Sequence, residues 1–151
     1  MKKETLYLDT SIPSAYYDNR VKDRQVATIK FWREVLPQYQ TYISEITEEE
    51  LSATKDDVLR RNFKRLVKGF EVLRINEKIK DLAKVYIEKE IFLEKYSNDA
   101  LHVATGSFYG VTYLVSWNFE HLVKVRTRKS VKLVNILHGY GEIEIISPQE
   151  L

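Results

Sequence analysis

The chain has 151 residues, of which 44% are hydrophobic and 30% are charged, and its formal net charge is +2. These are the values of one globular domain with its own core, so a wholly disordered chain is excluded. The mild positive charge neither requires nor excludes a nucleic-acid partner, and the absence of cysteine excludes disulfides and thiolate metal sites.

The start of the chain does not predict export. The apolar run that follows residues 1–4 is interrupted by Asp9, which makes it too short for a secretory signal. No stretch approaches the roughly 18 consecutive apolar residues of a membrane span. We therefore expect a cytoplasmic protein with no membrane partner, folded as a single domain over residues 1–151.

Predicted strands and helices alternate along the chain. Strands are predicted at residues 5–8, 39–44, 70–75, 112–116 and 143–146. Helices are predicted from residue 12 to 17, over 23–36, from 45, over 56–69, over 77–91, from about 97 to 109, and in an apolar stretch ending at 137. We expect Ser44 to cap the helix at 45, Ser97 or Asn98 to cap the helix near 97, and Gly110 to end that helix. This order predicts a mostly parallel sheet of four to five strands, covered by helices on both faces.

Acidic and amide side chains follow the predicted strands. Asp9 ends the first strand, four glutamates within residues 45–50 open the helix after the second, Asp99 lies in a first helical turn, and Asn118 follows the fourth strand. Because the carboxyl ends of parallel strands share one edge of a sheet, these groups can converge. Oxygen ligands of this kind suit Mg²⁺ or Mn²⁺. A turn-capping role remains the alternative for Asp9.

Four short motifs carry a family resemblance. They are LDTS at residues 8–11, ISEITEEEL at 43–51, NDALHVAT at 98–105 and LVSWN at 114–118. In order and spacing they resemble the motifs of PIN-domain nucleases, and in particular the VapC-like toxins of bacterial and archaeal toxin-antitoxin pairs. The resemblance covers nearly the whole chain and implies a three-layer α/β/α PIN-like domain that hydrolyses RNA with a metal ion.

The resemblance also implies roles for individual residues. The implied metal ligands are Asp9, Glu50 and Asp99, and Asn118 joins them in the implied catalytic set. Glu50 is preferred over its neighbours because the second acid of the family immediately precedes a leucine, and Leu51 follows Glu50. Glu49 is its main rival. Asp99 is the carboxylate expected to accept a proton from the attacking water.

The fourth motif departs from the family pattern at one position. Ser116 and Asn118 match, but His121 stands where many relatives have an aspartate. Imidazole is a poor magnesium ligand, so the number of metal ions stays open. The departure motivates an alternative function, a catalytically weakened PIN-like domain that binds nucleic acid or serves as a scaffold. A magnesium phosphohydrolase is disfavoured, because Ser11 stands where that class needs a second aspartate.

Basic and aromatic side chains near these motifs predict an RNA surface. The expected contacts are Ser11, Ser116, Trp117, Lys124, Arg126, Arg128 and Lys129. Charged helix faces are often only solvated, and Trp117 fits a core or lid position equally well. His102 is predicted to be a packed or hydrogen-bonded core histidine. The resemblance further implies an RNA substrate, a small antitoxin protein as partner, and a homodimer.

Overall fold

A five-stranded sheet in which all neighbouring strands are parallel forms the centre of the fold. In a computed structural model, which describes residues 3–151, the strands are β1 (Thr5–Leu8), β2 (Gln40–Ser44), β3 (Glu71–Leu73), β4 (Tyr113–Val115) and β5 (Glu144–Ile146). Their order across the sheet is β3-β2-β1-β4-β5. The predicted mostly parallel sheet is thus confirmed, and residues 1 and 2 of the predicted domain lie outside the described residues.

Helices cover both faces of the sheet. Within residues 3–151 they are α1 (Ser11–Tyr16), α2 (Lys22–Lys30), α3 (Glu45–Ser52), α4 (Asp57–Val67), α5 (Glu77–Glu88), α6 (Ser97–Tyr109) and α7 (Val125–Leu137). Side chains of α1 and α4 pack with one apolar cluster, and those of α5, α6 and α7 pack with a second cluster on the opposite face. The predicted three-layer α/β/α architecture is therefore confirmed.

Strand β1 supplies side chains to both layers. Leu6 and Leu8 belong to the cluster on the α1 and α4 side, whereas Tyr7 belongs to the cluster on the α6 side. All three side chains are completely buried, as expected for a central strand whose residues alternate between faces. This alternation places Tyr7, two residues before Asp9, beneath the edge where β1 ends.

Most predicted helix boundaries agree with the structure, with one difference. The Ser44 hydroxyl accepts a hydrogen bond from Ile46 N at 3.2 Å and so caps α3, and Gly110 ends α6 with a left-handed φ of 68°. The predicted cap of α6 by Ser97 or Asn98 is wrong. A 3₁₀ turn at Glu94–Tyr96 runs directly into α6, so that its N-cap position falls on Tyr96.

Membrane insertion was not expected from the sequence. None of the helices formed by residues 3–151 is both long enough and apolar enough to span a bilayer.

Candidate active site

The predicted acids lie at the edge of the sheet where the strands end. Asp9 follows β1 directly, α3 carries Glu50 immediately after β2, and α6, which leads back to β4, has Asp99 in its first turn. Burial raises the pKa of Asp99, and the negative charges of Asp9 and Glu50 raise it further. The three carboxylates therefore share one electrostatic neighbourhood, as the topology predicts.

Asp9 is held by hydroxyl groups from two different segments. Its side chain is buried, with 4% of the residue exposed. Oδ1 accepts hydrogen bonds from the Ser11 backbone N at 3.1 Å and the Ser11 hydroxyl at 2.5 Å, while Oδ2 accepts from the Ser116 hydroxyl at 2.5 Å. Burial raises the pKa of Asp9, although His102 and the two serines act to lower it. Asp9 thus caps a turn through Oδ1 and joins β1 to the end of β4 through Oδ2.

Glu50 is held in its ionised form. Its Oε1 accepts a hydrogen bond from the Thr10 hydroxyl at 2.7 Å and lies 2.8 Å from His102 Nε2. Burial acts to raise the pKa of Glu50, but His102 and Thr10 outweigh it, so the pKa lies below its ordinary value. The side chain is 33% exposed, which leaves part of the carboxylate open to solvent.

The other glutamates of α3 point elsewhere. Glu48 and Glu49 are exposed. Glu45 turns towards the end of β3, where its Oε2 accepts a hydrogen bond from Ile75 N at 2.8 Å. Glu50 is therefore the member of this group whose charge acts on Asp99.

A buried chain of hydrogen bonds runs from Ser44 through Tyr7 and His102 to the Glu50 carboxylate. The Tyr7 hydroxyl lies 2.7 Å from Ser44 Oγ and 2.6 Å from His102 Nδ1. Because a carboxylate can only accept, His102 Nε2 donates to Glu50 in either charge state of the ring, while Nδ1 is paired with the Tyr7 hydroxyl. His102 is 2% exposed, so the prediction of a hydrogen-bonded core histidine is confirmed.

Tyr7 and Thr10 belong to this network but were not predicted from the sequence. A signal for Tyr7 existed, since residues two apart on a strand share a face and Tyr7 precedes Asp9 by two. A weaker signal existed for His102, which lies three residues after Asp99 on a helix. Thr10 carries no such signal, because its contact with Glu50 depends on how α3 packs against the end of β1.

Asn118 faces Asp99 with its amide nitrogen. Its Nδ2 lies 3.5 Å from Asp99 Oδ2, and its Oδ1 accepts a hydrogen bond from His121 N at 2.9 Å. Its own backbone N donates to Ser116 Oγ at 2.9 Å. Asn118 is therefore arranged to donate a hydrogen bond to Asp99, while its carbonyl oxygen fixes the turn that follows.

The donor set fits a hard cation in type, although these side chains do not form a metal site by themselves. Within residues 3–151, no group of three or more Asp, Glu, His or Cys side chains is placed so that it could hold a metal ion. Mg²⁺ commonly keeps several waters and uses only one or two carboxylates together with substrate phosphate oxygens. An open arrangement of Asp9, Glu50 and Asp99 is compatible with that mode of binding.

Several expected RNA contacts are turned inward. Ser116 is completely buried and Trp117 is 6% exposed, and the Trp117 indole Nε1 donates to Thr28 Oγ1 at 2.8 Å. Ser11 Oγ is engaged with Asp9 and with the Trp117 backbone N at 2.8 Å. The expectation that Ser116 and Trp117 contact RNA is therefore not supported, because both side chains are used inside the fold.

The expected basic contacts divide into two groups. Lys124, Arg126 and Lys129 are exposed. Arg128 is partly buried, and its guanidinium lies 3.3 Å from the Ile145 carbonyl oxygen and 3.6 Å from Glu150 Oε1. Arg128 therefore tethers the end of the chain to α7, whereas the other three remain open to a ligand.

Comparison with known proteins defines the fold. No family model and no curated protein matches this sequence. VapC20 of Mycobacterium tuberculosis, described as a sarcin-ricin loop cleaving toxin, is 16% identical with a TM-score of 0.62, over 77% of this chain and 92% of that one. A toxin-antitoxin complex from Klebsiella pneumoniae is 17% identical with a TM-score of 0.59, and the match covers 81% of this chain and 93% of that one. VapBC-1 of nontypeable Haemophilus influenzae is 18% identical with a TM-score of 0.57, and the match covers 96% of this chain and 98% of that one. The chain thus has the PIN-like fold of these structures, and the resemblance predicted from the motifs is confirmed at the level of the fold.

Proposed function

We propose that this protein is a metal-dependent ribonuclease that hydrolyses phosphodiester bonds in single-stranded or structured RNA, and that it is the toxin of a toxin-antitoxin pair. The observation that carries the proposal is the hydrogen-bond network that joins the three carboxylates at the carboxyl edge of a PIN-like sheet. Ser116 and Asn118 connect Asp9 to Asp99, and Thr10, the residue after Asp9, donates to Glu50. The similarity to a toxin described as cleaving the sarcin-ricin loop supports RNA as the substrate class.

The three carboxylates would bind the metal ion, and one of them would also accept a proton. Asp9, Glu50 and Asp99 would hold Mg²⁺ or Mn²⁺, which when bound supplies positive charge for the phosphate oxygens and a water of lowered pKa. Asp9 is fixed by two serine hydroxyls, and Glu50 is kept ionised by His102. Asp99, whose pKa is raised by burial, is the carboxylate best suited to accept a proton from water.

Conservative substitutions test this assignment. Asp9→Asn, Glu50→Gln and Asp99→Asn are each expected to reduce Mn²⁺-dependent cleavage of a single-stranded RNA by at least about 100-fold, the lower range for loss of one catalytic group. Glu49→Gln is the matched control, because Glu49 is exposed and adjacent in sequence, and its activity should equal that of the wild type. Wild-type activity in any two of the three variants would contradict the assignment.

The alternative function makes a different prediction for the wild type. His121 occupies the position of a family acid, and the carboxylates do not form a metal site by themselves within residues 3–151. Binding of RNA without turnover across a Mn²⁺ titration would favour a catalytically weakened nucleic-acid-binding or scaffold domain. Cleavage that depends on added metal would favour the ribonuclease.

The proposal extends to partners and location. A small antitoxin chain would cover the acidic edge, an assembly supported by the similarity to a toxin-antitoxin complex. We also propose a homodimer and a cytoplasmic location, which suit an RNA target and a chain without cysteine. We expect a short reading frame beside the gene to encode this antitoxin, and its co-expression should suppress the cleavage activity. Sedimentation of the purified protein should show the dimer.

A further inference from the structure

A second concave region lies beside the acidic edge, between the end of α5, the 3₁₀ turn before α6 and the start of α7. We call it the α7 cavity. Its volume is about 550 Å³, and the lining residues that matter here are Lys89, Glu90, Tyr96, His121, Lys124 and Arg126. Pockets that bind small ligands typically enclose roughly 300–1,000 Å³, so the α7 cavity can accommodate a group the size of a nucleotide.

Two aromatic rings form one wall of the α7 cavity. The Tyr96 and His121 ring centroids are 4.0 Å apart and the ring planes are inclined by 35°. The backbone on both sides is fixed, because Tyr96 N donates to the Leu93 carbonyl at 2.8 Å and the Thr127 hydroxyl donates to the His121 carbonyl at 2.9 Å. Each ring covers one face of the other, and Lys95 Nζ lies 5.2 Å from the Tyr96 ring centroid. The pair therefore presents the outer face of His121 as a preorganised stacking surface of the kind that binds bases.

The charged side chains of the remaining wall are mostly cations. Lys89, Lys124 and Arg126 line the cavity with a single carboxylate, that of Glu90. The uncharged residues that complete the lining are Ile91, Phe92, Leu93, Thr127 and Ser130. Within residues 3–151, none of these three cations forms an ion pair with a carboxylate. Cations that are not neutralised by the protein itself are available to a phosphate group.

The α7 cavity is connected to the candidate active site through one residue. Asn118 Oδ1 accepts from the backbone N of His121 at 2.9 Å, and Asn118 Nδ2 lies 3.5 Å from Asp99 Oδ2. The stacking wall is thus anchored to the same side chain that faces a candidate catalytic carboxylate.

From this arrangement we propose that the α7 cavity binds a nucleotide next to the cleaved phosphodiester bond of single-stranded RNA. The base stacks on the His121 ring, which the Tyr96 ring supports, and the phosphate lies between Lys124 and Arg126. This inference rests on the proposed ribonuclease function. It also gives His121, which stands in the place of a family acid, a role as part of a binding surface.

The test measures binding without cleavage. A short fluorescein-labelled single-stranded RNA is titrated with the full chain in EDTA and followed by fluorescence anisotropy. Tyr96→Leu removes the support of the His121 ring and should raise the Kd about fivefold or more, as for loss of one stacked base, whereas Tyr96→Phe, which keeps the ring, should bind like the wild type. A far-ultraviolet circular dichroism melt establishes that each variant is folded.

Charge substitutions provide a second measurement that does not affect the core. Lys124→Ala and Arg126→Ala should each weaken binding and flatten the plot of log Kd against log salt by about 0.7, the value for one lost contact to single-stranded RNA. Lys84→Ala is the matched control, because Lys84 is an exposed lysine on α5 that does not line the cavity. Its binding should match the wild type.

The outcomes separate this inference from the proposed function. Mn²⁺-dependent cleavage by the wild type, combined with unchanged RNA binding in the Tyr96→Leu, Lys124→Ala and Arg126→Ala variants, would overturn the nucleotide site and leave the ribonuclease intact. The predicted binding losses without any cleavage would support the site and contradict the ribonuclease. Equal competition by inorganic phosphate and by uridine monophosphate would overturn base stacking, and stronger competition by an acidic peptide would assign the cavity to a protein partner.

Discussion

Removing a single oxygen atom tests the buried hydrogen-bond chain beneath Glu50. The substitution Tyr7→Phe deletes a hydroxyl that lies 2.6 Å from His102 Nδ1 and 2.7 Å from Ser44 Oγ. Ser44 Oγ keeps its hydrogen bond from Ile46 N at 3.2 Å, but the buried His102 nitrogen loses its partner. A buried polar atom without a partner costs about 1–3 kcal/mol, and the lost bond to Ser44 adds about 1 kcal/mol. We therefore expect Tyr7→Phe to lower the free energy of unfolding by about 2–4 kcal/mol.

Equilibrium unfolding in urea, followed by tryptophan fluorescence, measures this loss. The matched control is Tyr42→Phe, because Tyr42 pairs with Tyr7 in the register of β1 and β2 and its hydroxyl forms no hydrogen bond within residues 3–151. The control should change the free energy of unfolding by less than about 0.5 kcal/mol. Equal effects of the two substitutions would refute the view that the Tyr7 hydroxyl orients His102.

Three further predictions concern charge, backbone and pH. Asp99→Asn should raise the Tm of the metal-free protein, because it removes a half-buried carboxylate whose ionisation is opposed by desolvation and by the charges of Asp9 and Glu50; a lower Tm would contradict this. Gly110→Ala should cost about 1 kcal/mol in urea unfolding, since Gly110 has a φ of 68° that alanine rarely adopts. Burial raises the pKa of Tyr86, so stability present below the ordinary pKa of tyrosine, about 10, should be lost as the pH rises above it. In Tyr86→Phe that alkaline loss should be smaller, as alkaline unfolding curves would show.

The sheet and its edge were predictable because short-range patterns decide them. β1 is a run of apolar and β-forming residues that ends abruptly at Asp9, and alternating strands and helices leave few alternatives to a parallel sheet. Once the strands are parallel, residues that follow them must meet at one edge. The approach of Asp9, Glu50 and Asp99 therefore follows from strand order and helix direction, although they are distant in sequence.

The interior of the site was less predictable because it depends on packing between layers. The sequence does not show that Ser116 points down onto Asp9, or that the Trp117 indole reaches Thr28. The local sequence, a serine and a tryptophan beside an acidic motif, is the same whether these side chains face solvent or the core, so it cannot predict their direction. The predicted cap of α6 failed for a similar reason, since a 3₁₀ turn before α6 moved the N-cap position to Tyr96.

The three carboxylates differ in how far the protein satisfies them. Both oxygens of Asp9 accept short hydrogen bonds, and Oε1 of Glu50 accepts two. Within residues 3–151 the hydrogen-bond partner of the Asp99 side chain is the amide of Asn118 at 3.5 Å. Burial, Asp9 and Glu50 oppose the ionisation of Asp99, and His102 and His121 offset this in part. A half-buried carboxylate with so few hydrogen bonds lowers the stability of the fold, and such groups concentrate where function requires them. Asp99 is thus the carboxylate that the protein itself satisfies least, which is why the proposed proton transfer is assigned to it.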